Sequence, residues 1–187
     1  MLVLGLADPR ARKQGYGLLQ LAARECWGLE RLPELVREAR GKPYFQDAPN
    51  CHFNISHSGA WVVCAADHLP VGVDIQKVRP CREELLRRVC SPAEQKWYRE
   101  RGSAPEDFSL LWAIKESLCK YTGEGLRLPI SEIQVPLPVG DEELLEQDGL
   151  RFYLKRDRDW QICLCTQGVW DGCIRWLDSA EIPYIKE

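Results

Sequence analysis

Residues 112–120, with the sequence WAIKESLCK, have the composition and spacing of an α-helix. Because an α-helix turns once every ~3.6 residues, Trp112, Glu116 and Lys120 are predicted to lie along one face. Lys115 is expected beside them on the same side. One carboxylate and two ammonium groups on a partly apolar face suit an anionic substrate that carries a divalent cation.

Start and stop signals define this helix and two others. The helix is expected to begin near Glu106 or Asp107, whose charge suits the N-terminal end of the helix dipole, and to end at residues 122–123, Thr-Gly. A separate helix is predicted over residues 17–27. The segment SPAE at 91–94 predicts another helix start, with Ser91 as N-cap and Glu94 completing a capping box.

Strand signals fall into two groups that are rich in β-branched and aromatic residues. The first group comprises residues 2–7, 51–55, 61–66 and 71–75, and the second comprises 133–135, 151–154, 161–165 and 173–177. Residues 61–66, WVVCAA, are apolar throughout, which predicts a strand covered on both faces. The acidic segment 137–149 is predicted to be a surface loop. We therefore predict an α+β chain with a boundary near residues 76–82, dividing it into residues 1–76 and 77–187.

Composition narrows the class of protein. With 187 residues, of which 45% are hydrophobic and 28% charged, the chain can bury a core of ordinary size. A net charge of −3 argues against an extended nucleic-acid surface, which needs clustered cations. No run of ~18 apolar residues occurs, so no membrane span is expected, and the N-terminus is predicted to be a strand and not a signal peptide.

The cysteines indicate a reducing compartment. Nine are present, an odd number, and none forms a Cys-x-x-Cys spacing. This pattern favours reduced thiols in a cytoplasmic protein over disulfides or a zinc site. Cys163 and Cys165 alternate along a predicted strand and should face the same side.

A second acid lies far upstream of the helix. Asp74 follows an apolar run in VGVDIQ, residues 71–76, where a short strand is predicted to point it outward. Magnesium prefers carboxylate oxygens and commonly takes one or two of them together with phosphate oxygens, so Asp74 and Glu116 are candidate ligands. The alternative is that Asp74 caps a turn and that Glu116 forms an i,i+4 ion pair with Lys120.

Two further segments offer phosphate-binding groups. In FNISHSG, residues 53–59, a strand is predicted to end in a polar turn where Ser56 and His57 can donate to phosphate oxygens. In RGKPY, residues 40–44, a glycine permits close backbone approach to a ligand and flanking cations can neutralise phosphate charge. The first segment alone is equally compatible with an ordinary solvated turn. The second alone favours an ordinary loop, and it lacks the P-loop spacing.

Taken in order, the blocks GKP, FNISHS, VGVDI and WAIKESLCK resemble those of the Sfp-type 4′-phosphopantetheinyl transferases. The resemblance covers residues 10–130, including LRLP at 126–129. It implies an enzyme that moves the phosphopantetheine arm of coenzyme A to a serine of an apo acyl or peptidyl carrier protein, releasing adenosine 3′,5′-bisphosphate. It also implies two similar α/β halves related by pseudo-twofold symmetry, an active site in the cleft between them, and a monomer.

The resemblance assigns roles to particular residues. Asp74 and Glu116 would hold Mg²⁺, and Glu116 would act as general base, with Lys120 near the same phosphates. Coenzyme A would be bound by Arg12, Lys13, Arg40, Gly41, Lys42, Pro43, Ser56 and His57, in addition to Asp74, Glu116 and Lys120. The carrier is expected to dock near Leu118, Tyr121 and residues 122–128.

Two departures from the family pattern affect these expectations. Gln76 occupies a position where many bacterial relatives have a third acid, so it is a candidate magnesium ligand through its amide oxygen, and a water could take its place. The chain ahead of Lys13 is short, which puts discrimination between coenzyme A and its dephospho form in doubt. The alternatives are another magnesium-dependent phosphotransferase or nucleotidase and a non-catalytic protein that binds coenzyme A or a carrier.

Overall fold

The computed structural model describes residues 1–38, 40–125 and 129–183. These residues form two four-stranded sheets, a two-stranded hairpin and four helices. The helices are α1 (Gly15–Trp27), α2 (Glu83–Val89), α3 (Pro92–Glu100) and α4 (Pro105–Thr122). The strands are β1 (Leu2–Ala7), β2 (Leu35–Arg37), β3 (Pro43–Phe45), β4 (His52–Ser58), β5 (Trp61–Asp67), β6 (Val71–Lys77), β7 (Leu144–Gln147), β8 (Leu150–Arg156), β9 (Trp160–Thr166) and β10 (Arg175–Leu177). Short 3-10 turns lie at Ala11–Gln14, Ile130–Glu132 and Ser179–Glu181. The predicted α+β class is confirmed.

The strand order is β10-β1-β5-β4 in the first sheet and β6-β9-β8-β7 in the second. Neighbouring strands pair antiparallel, except that β10 runs parallel to β1. Each sheet therefore contains one strand from the other side of the predicted boundary. β6 lies almost entirely before residue 77 but belongs to the second sheet, and β10 lies after it but belongs to the first. The division into residues 1–76 and 77–187 stays a prediction.

β5 is covered on both faces, as its unbroken apolar sequence predicts. Val62, Cys64 and Ala66 belong to a core that α1 covers. Val63 and Ala65 point the other way, into a core that they share with apolar residues of β6 and β9. Because successive side chains of a strand point to opposite faces, burial of both faces requires every position to be apolar.

α4 packs on the second sheet against β6 and β9. Its Leu111 is fully buried in the core of this half. Gly72 of β6 permits the close approach of the helix, because a Cβ there would overlap the carbonyl oxygen of Ser117 and the amide nitrogen of Tyr121. Gly123 ends the helix with a φ of 69°, a left-handed conformation that glycine adopts without strain.

The predicted helix ends agree with the structure. α1 begins two residues before the predicted position, and α4 begins at Pro105, immediately before Glu106. The capping box at α3 is formed in full: Ser91 Oγ accepts from the Glu94 amide, and Glu94 Oε2 accepts from the Ser91 amide at 2.6 Å. Local hydrogen-bonding chemistry explains why these boundaries can be predicted from sequence.

Several short elements were predicted wrongly or not at all. Residues 133–135 are not a strand but follow a 3-10 turn, and the predicted loop at 137–149 contains β7, an edge strand paired with β8. The β2–β3 hairpin and α2 had no sequence signal strong enough to identify them. These elements have about three to seven residues, too few to establish a hydrophobic period.

The C-terminal segment crosses back over the N-terminal half. Trp176 of β10 lies over Gly5, where a Cβ would come within 2.6 Å of the indole ring. Ile182 packs against α1 at Gly17, where a Cβ would overlap its side chain. Both glycines thus make room for a segment that is distant in sequence.

All nine cysteines are free thiols. Cys163 and Cys165 lie in the same core, as their alternation predicts. Within the described ranges, the helices include none with the length and apolar character needed to cross a membrane.

Candidate active site at the seam between the sheets

β4 and β6 are the edge strands of their sheets and lie side by side, forming a boundary that we call the seam (residues 52–58 and 71–77). Side chains of β4 accept hydrogen bonds from backbone amides of β6 across it. The pairs are Asn54 with Val73 at 3.1 Å, Ser56 with Ile75 at 3.2 Å and Ser58 with Lys77 at 2.9 Å. Alternate residues of a strand share a face, so this spacing sets the register of β6 against β4.

Asp74 is buried at the middle of the seam, with 2% of its surface exposed. Its Oδ1 accepts from Ser56 Oγ at 2.7 Å and from Lys120 Nζ at 2.6 Å, and its Oδ2 accepts from the Gln76 amide at 2.6 Å. The prediction that Asp74 points outward from the end of a strand is therefore wrong. Asp74 lies within β6, on the face that α4 covers.

Glu116 faces this cluster from α4. It is half-buried, and no hydrogen-bond partner for its carboxylate exists among residues 1–38, 40–125 and 129–183. Burial raises the pKa of Glu116, and the charge of Asp74 acts in the same direction, while Lys120 opposes both. The alternative of a Glu116–Lys120 ion pair is not realised, because the Lys120 ammonium binds Asp74, Ser56 Oγ and the Val73 carbonyl instead.

Lys115 does not belong to this site, which corrects the expectation of a second ammonium group beside Glu116. It is fully buried and forms an ion pair with Glu94 at 2.6 Å. Its Nζ also donates to the carbonyls of Val89, at 3.0 Å, and Ile130, at 2.8 Å. Neighbouring helix positions are about 100° apart around the axis, so Lys115 points away from Glu116, toward α3 and the end of α2.

A cavity of about 260 Å³ opens beside Glu116 and Lys120. Residues 40–43, the predicted Arg40-Gly41-Lys42-Pro43 segment, line it together with Asn54 and Cys119. Gly41 has a φ of 87°, in the region that favours glycine. The sequence-predicted groups on α4 and on the loop before β3 therefore meet in one cavity.

Two cations of this segment already bind carbonyl groups. Lys42 Nζ donates to the Tyr121 carbonyl at 2.8 Å, and Arg40 donates to the Glu124 carbonyl at 3.3 Å. Burial lowers the pKa of Lys42, and the nearby Glu38 partly opposes that effect. These contacts hold the loop against the end of α4.

Ser56 and His57 lie inside β4, which continues to Ser58, so the predicted polar turn begins later than expected. Ser56 is buried and points into the seam, whereas His57 is exposed on the opposite face. Desolvation lowers the pKa of His57, as do the charges of Arg12 and Lys120, while Asp74 opposes them. Arg12 is therefore close enough to influence His57; Lys13 is exposed in the same 3-10 turn.

A second cavity, of about 240 Å³, was not predicted. Ser58, Gln76 and Trp112 line it, together with Lys77 and Arg79. Trp112 is one turn before Glu116 on α4, so the shared helical face predicted from sequence does extend along the seam. The basic residues Lys77, at the end of β6, and Arg79, just after it, were the signal that could have identified this cavity.

The residues expected to dock a carrier are only partly surface groups. Leu118 and Tyr121 are half-buried and pack against the core of the second half. Thr122 is exposed at the end of α4. Leu126, Arg127 and Leu128, which complete that expectation and the LRLP block, lie outside the described residues.

Comparison with known proteins places this arrangement in a family. The model of the 4′-phosphopantetheinyl transferase superfamily matches residues 70–172. A 4′-phosphopantetheinyl transferase of Bacillus subtilis is 35% identical over 163 residues, covering 81% of this chain and 71% of the relative. A 4′-phosphopantetheinyl transferase of Bacillus pumilus is 34% identical over 174 residues, covering 87% and 73%. The transferase Sfp of Bacillus subtilis strain 168 is 42% identical over 99 residues, covering 52% of this chain but only 44% of Sfp.

Proposed function

Because the chain belongs to the 4′-phosphopantetheinyl transferase superfamily, we propose that it transfers the phosphopantetheine arm of coenzyme A to a serine of an apo acyl or peptidyl carrier protein. Adenosine 3′,5′-bisphosphate is the second product of this reaction. The observation that carries the proposal is the meeting of Asp74, Glu116 and Lys120 at the seam, beside the cavity that residues 40–43 line.

The nucleotide part of coenzyme A fits the cavity beside residues 40–43. Ligand pockets usually enclose ~300–1,000 Å³, and this cavity of about 260 Å³ is open to solvent, so part of the nucleotide would extend beyond it. The side chains of Arg40 and Lys42 are cationic, as phosphate binding requires. We place the 3′-phosphate near Arg12, Lys13 and His57, on the exposed side of β4.

The carboxylates suit a divalent cation. Glu116 has no hydrogen-bond partner among the described residues and lies within the influence of the Asp74 charge, so two acids lie near one ammonium group, which of the two binds only Asp74. Asp74 and Glu116 would hold Mg²⁺, with the amide oxygen of Gln76 as a third ligand. When bound, the ion neutralises charge on the diphosphate and stabilises the leaving bisphosphate.

Glu116 is the residue that we assign as general base. The serine oxygen forms a bond to the β-phosphorus, the bond to the leaving bisphosphate oxygen breaks, and Glu116 takes the serine proton, directly or through a water. A half-buried carboxylate is more basic than one in water, which favours this proton transfer. Lys120 and Ser56 orient Asp74 and offset negative charge at the centre.

The proposal includes the finer architecture that the family implies. Two halves related by pseudo-twofold symmetry, with the active site in the cleft between them, are consistent with one long helix on each of two four-stranded sheets. We further propose that the protein is a cytoplasmic monomer.

The test is a transfer assay with coenzyme A, Mg²⁺ and a panel of apo carriers. We expect a mass gain of one phosphopantetheine on a carrier serine and equimolar release of adenosine 3′,5′-bisphosphate. Asp74→Asn, which keeps the shape of the side chain, is the matched inactive variant. Binding of coenzyme A without modification of any carrier would favour the non-catalytic alternative, and transfer to another acceptor would favour a different phosphotransferase.

A further inference from the structure

The candidate reaction centre separates two cavities along the seam. Two elements, β4 and α4, extend from one cavity to the other. β4 offers Asn54 to the first cavity and Ser58 to the second, and α4 offers Lys120 to the first and Trp112 to the second. Glu116 is one helical turn from both of these α4 residues, so it lies between the two ends.

In-line chemistry gives the two ends different roles. In phosphoryl transfer the attacking and leaving oxygens lie roughly opposite each other across phosphorus. If the leaving bisphosphate occupies the cavity beside residues 40–43, the serine oxygen must approach from the other end of the seam. This step depends on the proposed function and on the proposed position of the nucleotide.

We propose that the second cavity and its basic rim are the docking site for the acceptor protein. The basic rim consists of Lys77, the last residue of β6, and Arg79, two residues later. The partner is a folded domain that presents its acceptor serine at the cavity and acidic side chains to the rim.

The charge of the rim specifies an acidic partner. Lys77 and Arg79 are both exposed, and neither has a carboxylate partner in the described ranges of the chain. Segment 77–89 carries more cations than acids, namely Lys77, Arg79, Arg82, Arg87 and Arg88 against Glu83 and Glu84. Glu83 is already paired with Arg87 at 3.2 Å and with Arg99 at 2.7 Å, so the positive charge of the rim is not neutralised locally.

The walls of the cavity form an apolar surface inside this rim. Trp112 and Leu85 are half-buried there, and Phe108 packs edge-on against Trp112 with ring centroids 5.7 Å apart. Aromatic side chains in partly desolvated pockets are common anchors of protein interfaces, with charged groups around them. The partner is therefore expected to insert one apolar side chain next to its serine.

This position differs from the one expected from sequence. Leu118 and Tyr121 are half-buried against the core of the second half, and the Tyr121 carbonyl binds Lys42. Lys42 lines the first cavity, so its contact with Tyr121 lies at the proposed nucleotide end of the seam. An acceptor docked there would approach phosphorus from the side of the leaving group.

The experiment compares three single substitutions to glutamate. Arg79→Glu changes the rim, Lys96→Glu changes an exposed lysine on α3 outside the cavity, and Thr122→Glu adds charge at the end of α4. Steady-state transfer gives KM for the carrier and for coenzyme A separately, and binding of the apo carrier is measured directly by anisotropy without coenzyme A.

We expect Arg79→Glu to raise the carrier KM and its dissociation constant roughly tenfold, to make both less dependent on salt, and to leave KM for coenzyme A unchanged. Lys96→Glu should change none of these. A rise in KM for coenzyme A alone would assign the cavity to the pantetheine arm, and a carrier effect of Thr122→Glu alone would move docking to the end of α4; either result overturns the proposal. Carrier binding that depends on Arg79 without any transfer would support docking while rejecting the proposed function.

Discussion

The ammonium of Lys120 lies 2.6 Å from the Asp74 carboxylate and leaves Glu116, one turn earlier on the same helix, without an ion-pair partner among the described residues. Lysine and glutamate at i,i+4 often pair on isolated helices, but here the ammonium is drawn across the seam to β6. Two acids are thereby brought near one cation. The site keeps one carboxylate available for a substrate, a metal ion or a proton.

Asp74→Asn should abolish most transfer while the fold is retained. The amide keeps the size of the side chain but removes the charge that Lys120 and a divalent cation would bind. We expect kcat to fall by about 100-fold or more, a loss typical of removing one strong electrostatic contact at a reaction centre. Circular dichroism and the carrier dissociation constant serve as controls, and a kcat within a factor of about three of the unmodified enzyme would contradict this role.

Gln76→Glu should change the magnesium requirement. A carboxylate at this position would add negative charge beside Asp74, whose Oδ2 now accepts from the Gln76 amide at 2.6 Å. We expect tighter magnesium binding and lower thermal stability in its absence, because two like charges would be adjacent. The measurement is thermal unfolding across a magnesium titration, and an unchanged titration would place Gln76 outside the coordination shell.

Lys115→Met should lower stability and leave the chemistry of folded enzyme nearly unchanged. The substitution leaves Glu94 as an unpaired buried carboxylate, which costs about 3–5 kcal/mol in comparable buried pairs. Urea unfolding measures this loss. The double variant Lys115→Met/Glu94→Gln should lose less than the sum of the single variants, and strict additivity would show that the two side chains do not interact.

Gly72→Ala should destabilise the protein by about 1–3 kcal/mol, since α4 would have to move away from β6 to make room for the methyl group. Gly140→Ala is a matched control, because a Cβ at Gly140 meets only the Glu142 carboxylate, at 3.9 Å. Chemical unfolding compares the two variants. Equal stability would show that the helix can shift without loss of packing.

Thiol labelling should follow burial. Cys173 is exposed and should react first with a maleimide, whereas Cys64 is fully buried. Burial raises the pKa of Cys90 to about 12 and that of Cys119 to about 11, so little thiolate is present at these positions near neutral pH. Mass spectrometry of partially labelled native protein gives the order, and early modification of Cys64 would contradict the fold of the first half.

The sequence by itself determined the elements whose signals are local. A few neighbouring residues suffice to identify the caps of α3 and α4, the unbroken apolar run of β5 and each of the four motif blocks. Those blocks also identified the groups that meet at the seam, because each contributes a residue type with specific chemistry.

Only the tertiary structure decided the direction of several side chains. Asp74 alternates with apolar neighbours on β6, and the sequence cannot show that α4 covers its face, which the absence of a side chain at Gly72 permits. Lys115 and Glu116 are adjacent in sequence but contact different parts of the structure. Glu116 faces β6 of the second sheet, whereas Lys115 faces α3 and the end of α2 on another side of α4. The burial of a face depends on what packs against it, and that partner comes from a distant part of the chain.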